Sequence, residues 1–132
     1  MEQRGDYGYD APYGREVTMR NASLEGVADR LEIETGDMRA LPFPDGVFDV
    51  VVSSLAIHNI RSNADRAQAV AEAWRVLQPG GRLAIADIRA TARYAASLSE
   101  LGAIGIARLR LGWRFWYGNP FAGTSLVTAL KP

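Results

Sequence analysis

The sequence predicts a mixed α/β domain of the βαβ kind, and three observations carry the prediction. Phe48–Ser53 and Arg82–Ile88 are short runs, apolar on both faces, which is the composition of parallel strands buried inside a sheet. Between them Ala67, Val70, Ala71, Trp74 and Leu77 recur at the i, i+3, i+4, i+7 spacing of a helix with one buried stripe. The chain has 132 residues, room for one domain at roughly 100–200 residues each. Strands alternating with helices in a single domain give a mostly parallel sheet with crossover helices.

The elements follow in order. Residues 1–15 are rich in Gly, Tyr, Asp and Pro without either period and read as a loose N-terminal arm, leaving 16–132 as the single domain. From Glu16 the positions Val17, Met19 and Leu24 are weakly helical, with Gly26 as a stop. In Ala28–Glu34, Leu31 and Ile33 alternate with charged residues, so a short strand with one exposed face is expected. Gly36-Asp37-Met38 ends it. Ala40–Gly46 holds two prolines and Asp45-Gly46, a turn region. After the Phe48–Ser53 strand, Asn63 or Asp65 caps the helix, and Pro79-Gly80-Gly81 stops it before the Arg82–Ile88 strand. Thr91–Leu101 is a helix with Gly102 at its C-terminal end. From Ile106 to Tyr117, Ala107, Leu109, Leu111, Trp113 and Phe115 alternate with Arg108, Arg110 and Arg114, giving one or two strands with one wet face. A loop at Asn119-Pro120 and Gly123 leads to a last strand, Ser125–Leu130.

Composition narrows the function. Fifteen basic residues balance fifteen acidic ones, so net charge favours neither nucleic acid nor an anionic membrane. The absence of cysteine removes disulfides, thiolate metal sites and cysteine nucleophiles, and with His58 the only histidine no metal site is expected. The longest apolar stretch, Val47 to Ile57, is broken by Asp49 and Ser53-Ser54 and falls short of the ~20 residues that span a bilayer. The N-terminus lacks the apolar segment of a secretory signal. A cytoplasmic, enzyme-like domain is expected.

Ligands of open parallel sheets sit beyond the carboxyl ends of the strands. Three strand ends here carry polar groups: Asp37, Ser53-Ser54 and Asp87, with His58 and Asn59 just past the second. Carboxylates, hydroxyls and one imidazole suit a polar small molecule bearing an amine or a ribose. Asp37 also reads as a simple turn cap, and His58 as a loop or helix-start histidine.

At this point the residues resemble a family. Gly36-Asp37-Met38, Leu41-Pro42-Phe43-Pro44-Asp45, Phe48-Asp49-Val50-Val51-Val52-Ser53, Leu55-Ala56-Ile57-His58-Asn59 and Arg75-Val76-Leu77-Gln78-Pro79-Gly80-Gly81-Arg82-Leu83 together resemble the class I S-adenosylmethionine-dependent methyltransferases, in particular the domain shared with ubiquinone-biosynthesis C-methyltransferases. The likeness covers residues 16–90 most strongly. It implies an incomplete Rossmann-like three-layer sandwich, mostly parallel with an antiparallel last strand. It also implies methyl transfer from S-adenosylmethionine to an unknown small-molecule acceptor. Gly36, Asp37 and Met38 then meet the adenine, Asp37 accepting from its amino group. Ser53, Ser54 and Leu55 border the methionine portion, and His58 lies where substrate-facing residues occur and is the candidate base. Asp49 and Arg75 read as structural, and Trp74 as core.

The sequence departs from that family in one respect: it has no Gly-x-Gly-x-Gly, and Gly5, Gly8 and Gly14 follow no strand. The expectation is a domain whose first βαβ unit is missing. Hydrogen bonds to charged groups are worth about 1.5–3 kcal/mol each. Losing two or three weakens cofactor binding by roughly 3–9 kcal/mol, from micromolar to millimolar or worse. An alternative follows, a catalytically inactive methyltransferase-like remnant acting as an interaction module. A missing first strand also bares one edge of the Val50-Val51-Val52 strand. Either the Leu31-Ile33 strand moves in, or a second copy pairs there to form a homodimer; a monomer in light scattering at micromolar concentration would contradict the dimer. The Arg108, Arg110, Arg114 row with Trp113, Trp116 and Tyr117 reads as a solvated face over an aromatic core, not as a nucleic-acid or membrane surface.

Overall fold

The computed structural model describes residues 14–115, 121 and 123–132. The expected N-terminal arm lies almost wholly outside the described residues, as do Trp116, Tyr117 and the Asn119-Pro120 loop. The chain forms two compact units, Met1–Thr35 and Gly36–Pro132.

In the first unit helix α1 spans Arg15–Leu24. Gly26, at φ +67°, ends it as the sequence suggested. Its N–H donates to Ser23 O at 3.2 Å and that of Val27 to Ala22 O at 2.9 Å, which satisfies two carbonyls the helix leaves open. The strand expected over Ala28–Glu34 is not formed. Ala28–Arg30 is one turn of 3-10 helix and 31–34 carry no regular structure. The N–H groups of Arg30 and Leu31 donate to Val27 O and Ala28 O, so local bonds occupy donors that a ladder would need. Alternation without a partner strand does not fix a strand.

The second unit holds β1 (Phe48–Ser54), α2 (Asn63–Val76), β2 (Leu77–Asp87), α3 (Thr91–Glu100), β3 (Ile104–Arg110) and β4 (Ser125–Leu130). Its sheet has the order β1-β2-β4-β3. β1 and β2 are parallel, and β4 is antiparallel to both β2 and β3. The sheet is therefore parallel except for its last strand, as expected. On one face Leu83 pairs with Ala129 and Ile85 with Val127. These four join Val70, Ala73 and Trp74 of α2 and Tyr94 and Leu98 of α3 in one buried cluster. The opposite face keeps Val50 57%, Val52 73%, Ile104 54% and Leu109 55% exposed. The sandwich is incomplete on that side, and β1 is an edge strand with no neighbour beyond it among the described residues.

Four local details differ from expectation. Helix α2 is capped by Ser62, whose Oγ accepts the Asp65 N–H at 2.9 Å. A serine hydroxyl three residues before the donor has the reach that neither Asn63 nor Asp65 has at its own position. Next, Pro79-Gly80-Gly81 does not separate helix from strand. β2 begins at Leu77, paired with Phe48, and the register then jumps to Val50–Arg82, so the Pro-Gly-Gly run is a bulge within the strand. Gly80 sits at φ +81°, and a Cβ on Gly81 would lie 2.6 Å from Leu77 Cδ1 and 2.8 Å from Gln78 O. β3, for its part, stops at Arg110; Gly112 turns the chain at φ +78° into a 3-10 turn, Trp113–Phe115, where Arg114 lies over the Trp113 ring at 5.5 Å. Finally, Glu100 and not Leu101 is the last residue of α3.

The chain's single lysine has a structural use. Lys131 Nζ donates to Trp74 O and Leu77 O, both at 2.7 Å, and lies 5.4 Å from the Trp74 ring centroid. It thus closes the carbonyl end of α2, where a cation also suits the helix dipole. Lys131→Met is expected to lower stability in urea denaturation by about 1.5–3 kcal/mol, the worth of hydrogen bonds to a charged group. No helix among the described residues is long and apolar enough to cross a membrane.

Candidate functional site

The segment Gly36–Val47 runs alongside α2 and is fastened to it at both ends. At the α2 C-terminal end, Gly46 N–H donates to Arg75 O at 2.9 Å and Val47 N–H to Val76 O at 2.8 Å. Midway, Arg75 holds Glu72 through Nε (2.8 Å) and Nη2 (2.9 Å), and also reaches Phe43 O, Leu41 O and Asp45 Oδ1. Leu41 N–H donates to Glu72 Oε2 at 2.8 Å. The Arg75 guanidinium, aided by that N–H, holds the buried Glu72 carboxyl below its usual range. At the α2 N-terminal end Arg39 Nη1 meets Asp65 Oδ2 at 3.4 Å, and Gln68 Nε2 donates to Arg39 O at 3.5 Å. Arg75 is structural, as its sequence context suggested.

This arrangement brings the Gly36-Asp37-Met38 turn to the start of α2. The chain enters α2 from the carboxyl end of β1, where Ser53, Ser54, Leu55 and His58 lie. The turn is thus linked to α2 through Arg39, and the β1 residues lie at and beyond the end of the strand that leads into that helix. Ala40 N–H closes the turn on Asp37 O at 2.9 Å, Met38 packs against the core cluster, and a Cβ on Gly36 would press Pro42 Cδ at 3.0 Å. Ser53 pairs with Ile85 and Ser54 with Ala86, which sets the ends of the two parallel strands level.

Asp37 is already engaged. Its Oδ1 accepts the Arg39 backbone N–H at 2.8 Å and Nε at 3.0 Å, while Oδ2 accepts Nη2 at 2.7 Å and Nε at 3.1 Å. These bonds to Arg39 bring the Asp37 carboxyl from 3.8 down to about 2, so it is charged throughout the neutral range. Three N–H donors of Arg39, Nε being shared between the two oxygens, make these four contacts. The side chain remains 46% exposed, so a ligand amino group reaching Asp37 shares the carboxylate with Arg39. Sequence reasoning missed Arg39, although its place two residues beyond the carboxylate was visible.

Past β1 the backbone turns sharply. Leu55 is held at φ +54°, a left-handed conformation that costs a non-glycine residue roughly 1–2 kcal/mol. Its N–H donates to Ala86 O at 2.9 Å and its carbonyl accepts Asn59 Nδ2 at 3.4 Å. β2 also exits through a left-handed residue, Ala90 at φ +62°. Such strain persists where the surrounding structure dictates it, and gathers at functional edges.

The Leu55 turn delivers His58 to Asp87, which is 1% exposed. Asp87 Oδ2 accepts the His58 backbone N–H at 2.9 Å and the Tyr94 hydroxyl at 3.1 Å, and Oδ1 accepts the Ile88 N–H at 2.8 Å. The imidazole Nδ1 lies 2.5 Å from Oδ1. The contact is not aligned as a hydrogen bond, and Nδ1 is buried without a hydrogen-bond partner. Burial first, and then the Asp87 charge, push the Tyr94 phenol above the ordinary tyrosine range. Tyr94 was not legible as a partner of this site from sequence. Among the described residues no group of three or more His, Asp or Glu is placed to hold a metal ion.

A family described as a methyltransferase domain matches residues 7–85. The chain is 43% identical over 68 residues to the ubiquinone/menaquinone biosynthesis C-methyltransferase UbiE of Roseobacter denitrificans, a match covering 52% of this chain and 26% of that protein. It thus spans about a quarter of the length of the curated relatives it matches. In three dimensions it resembles the cyclase SpnF (TM-score 0.71, 18% identity, 89% of this chain and 62% of that one). It likewise resembles the N-methyltransferase NodS of Bradyrhizobium japonicum, solved with S-adenosyl-L-homocysteine (TM-score 0.65, 16% identity, 90% and 63%). At these identities the structural likeness speaks for the fold alone.

Proposed function

The chain belongs to the methyltransferase-domain family, and from that premise we propose that it takes part in S-adenosylmethionine-dependent methyl transfer to a small-molecule acceptor. The observation that supports the proposal is the position of Ser53, Ser54 and Leu55 at the carboxyl end of β1, where such sheets bind ligands, with the Asp37-Met38 turn tied through Arg39 and Asp65 to the start of the helix that follows β1. The donor set fits the group. A charged carboxylate suits the adenine amino group, a half-buried methionine suits its ring, and two hydroxyls beside a strained turn suit the polar methionine portion.

When bound, S-adenosylmethionine supplies a methyl group already activated on a sulfonium. The chain's residues then have to bind, orient and exclude water, since in-line positioning carries most of such a transfer. Asp37 holds the adenine end while also paired with Arg39. The Leu55 turn fixes where the β1 hydroxyls stand relative to His58. The sequence has no Gly-x-Gly-x-Gly run to bring backbone close to the methionine portion, so affinity in the millimolar range is expected of this chain by itself.

Calorimetric titration with S-adenosylhomocysteine tests the reading. Weak binding is expected, lost in Asp37→Ala and tightened several-fold in Arg39→Ala, which frees the carboxylate. Absence of heat at millimolar ligand, or binding indifferent to Asp37, would leave the chain as an interaction module with methyltransferase ancestry.

A further inference from the structure

We propose that the first turn of α3, with Arg89, Thr91 and Arg93, binds a phosphate group carried by the methyl acceptor. The site stands on the structure by itself; its assignment to the acceptor rests on the methyl-transfer reading above. β2 leaves the sheet at Asp87, the carboxyl end where open parallel sheets take ligands, and α3 begins at Thr91. Ala90, the residue between strand and helix, is left-handed at φ +62° and offers no side-chain cap. A left-handed residue followed by helical ones turns successive N–H groups toward one point, a concavity that suits an anion. Among the described residues the N–H groups of Ala90, Thr91 and Ala92 donate to no group. Ala90 itself packs against the core cluster, which holds the turn in place.

Charge points the same way. The helix dipole favours acidic residues in a first turn, yet α3 has none there. Its start is flanked instead by Arg89 and Arg93, both exposed and without an ion pair among the described residues. The neighbouring carboxylate, Asp87, is buried and engaged by the His58, Ile88 and Tyr94 donors. Thr91 is an independent sign. It is 8% exposed, and its hydroxyl makes no hydrogen bond among the described residues without being sealed from solvent. As the first helical residue it carries its Cβ tilted toward the helix N-terminus, the end where the open N–H groups lie. A helix end, a hydroxyl and two guanidiniums suit the three acceptor oxygens of a phosphate monoester. An acceptor held there has its remainder near Ser53 and Ser54, because β1 and β2 end level.

Amide spectra of the 15N-labelled full chain, titrated with phenyl phosphate, inorganic phosphate or chloride at equal ionic strength, test the proposal. Phenyl phosphate is expected to shift Arg89–Arg93 saturably and to bind several-fold more tightly than inorganic phosphate, while chloride leaves these amides in place. Arg89→Gln and Arg93→Gln are each expected to weaken binding about tenfold, the loss of one charge-assisted hydrogen bond. Thr91→Val keeps the shape without the hydroxyl and is expected to weaken it about threefold. Both arginines are exposed, so their replacement leaves the fold intact, which unchanged shifts elsewhere in the chain will show. S-adenosylhomocysteine and phenyl phosphate are expected to bind together. Chloride shifting the same amides equally, or unchanged affinity in both arginine variants, would overturn the site. Inorganic phosphate binding as tightly as phenyl phosphate, or competition with S-adenosylhomocysteine, would overturn its assignment to the acceptor. A chain that binds phenyl phosphate here but no S-adenosylhomocysteine would overturn the methyl-transfer reading and leave the phosphate site standing.

Discussion

Ile85→Ala is expected to cost the chain about 2–5 kcal/mol of folding stability, while Val52→Thr on the neighbouring strand stays within about 0.5 kcal/mol. Both positions are β-branched residues of strands that sequence alone places in the middle of a sheet. Ile85 is fully buried, paired with Val127 beneath the α2 and α3 side chains. Removing three of its carbons leaves a cavity that the close-packed cluster cannot fill. Val52 points to the other face and is 73% exposed, so a hydroxyl there replaces a methyl group already in water. Urea midpoints of the two variants decide the matter. A loss above about 1 kcal/mol at Val52 would mean that this face is covered in solution.

Asp87→Ala is the second large effect, with a loss of about 3–6 kcal/mol expected. The carboxylate accepts three hydrogen bonds from a peptide N–H at His58, another at Ile88 and the Tyr94 hydroxyl. Each donor left buried without a partner costs about 1–3 kcal/mol. Asp87→Asn keeps one acceptor oxygen and is expected to lose less. Tyr94→Phe removes a single donor and leaves the other bonds in place, so it is expected to cost least of the three. That order, Ala worst and Phe mildest, is checked by thermal unfolding of the three variants. Equal losses would mean that Asp87 acts by packing and not as a hub of hydrogen bonds.

These two sites also show what the sequence carries. β1, α2 and β2 were legible because a run apolar on both faces and a helical stripe report burial locally, residue by residue. The antiparallel final strand followed only from family resemblance, since nothing inside Ser125–Leu130 specifies direction. Leu31 and Ile33 misled because alternation reports a wet and a dry side but not whether a neighbouring strand exists. Lys131 has no local signature either. Its partners Trp74 and Leu77 lie more than fifty positions away in the chain, and only the β2–β4 pairing brings them together.

The candidate site divides in the same way. Asp37, Ser53, Ser54 and His58 stood out as polar residues at the ends of apolar strands. The link of the Asp37 turn to α2 depends on contacts across the fold, from Arg39 to Asp65 and from Leu41 to Glu72. Asp87 was visible as a strand end, but its tie to His58 depends on the parallel register that levels Ser54 with Ala86. Arg39 sits inside the motif itself, and its effect on Asp37 was hidden because a turn salt bridge and a ligand contact use the same carboxylate.

The central claim, that the Asp37 turn and the end of β1 hold the cofactor, is tested most directly by amide chemical-shift mapping during titration of the 15N-labelled chain with S-adenosylhomocysteine. Shifts concentrated at Gly36–Arg39 and Ser53–Asn59, absent in Asp37→Ala, are the predicted result. Shifts confined to other segments, or none at millimolar ligand, would contradict it.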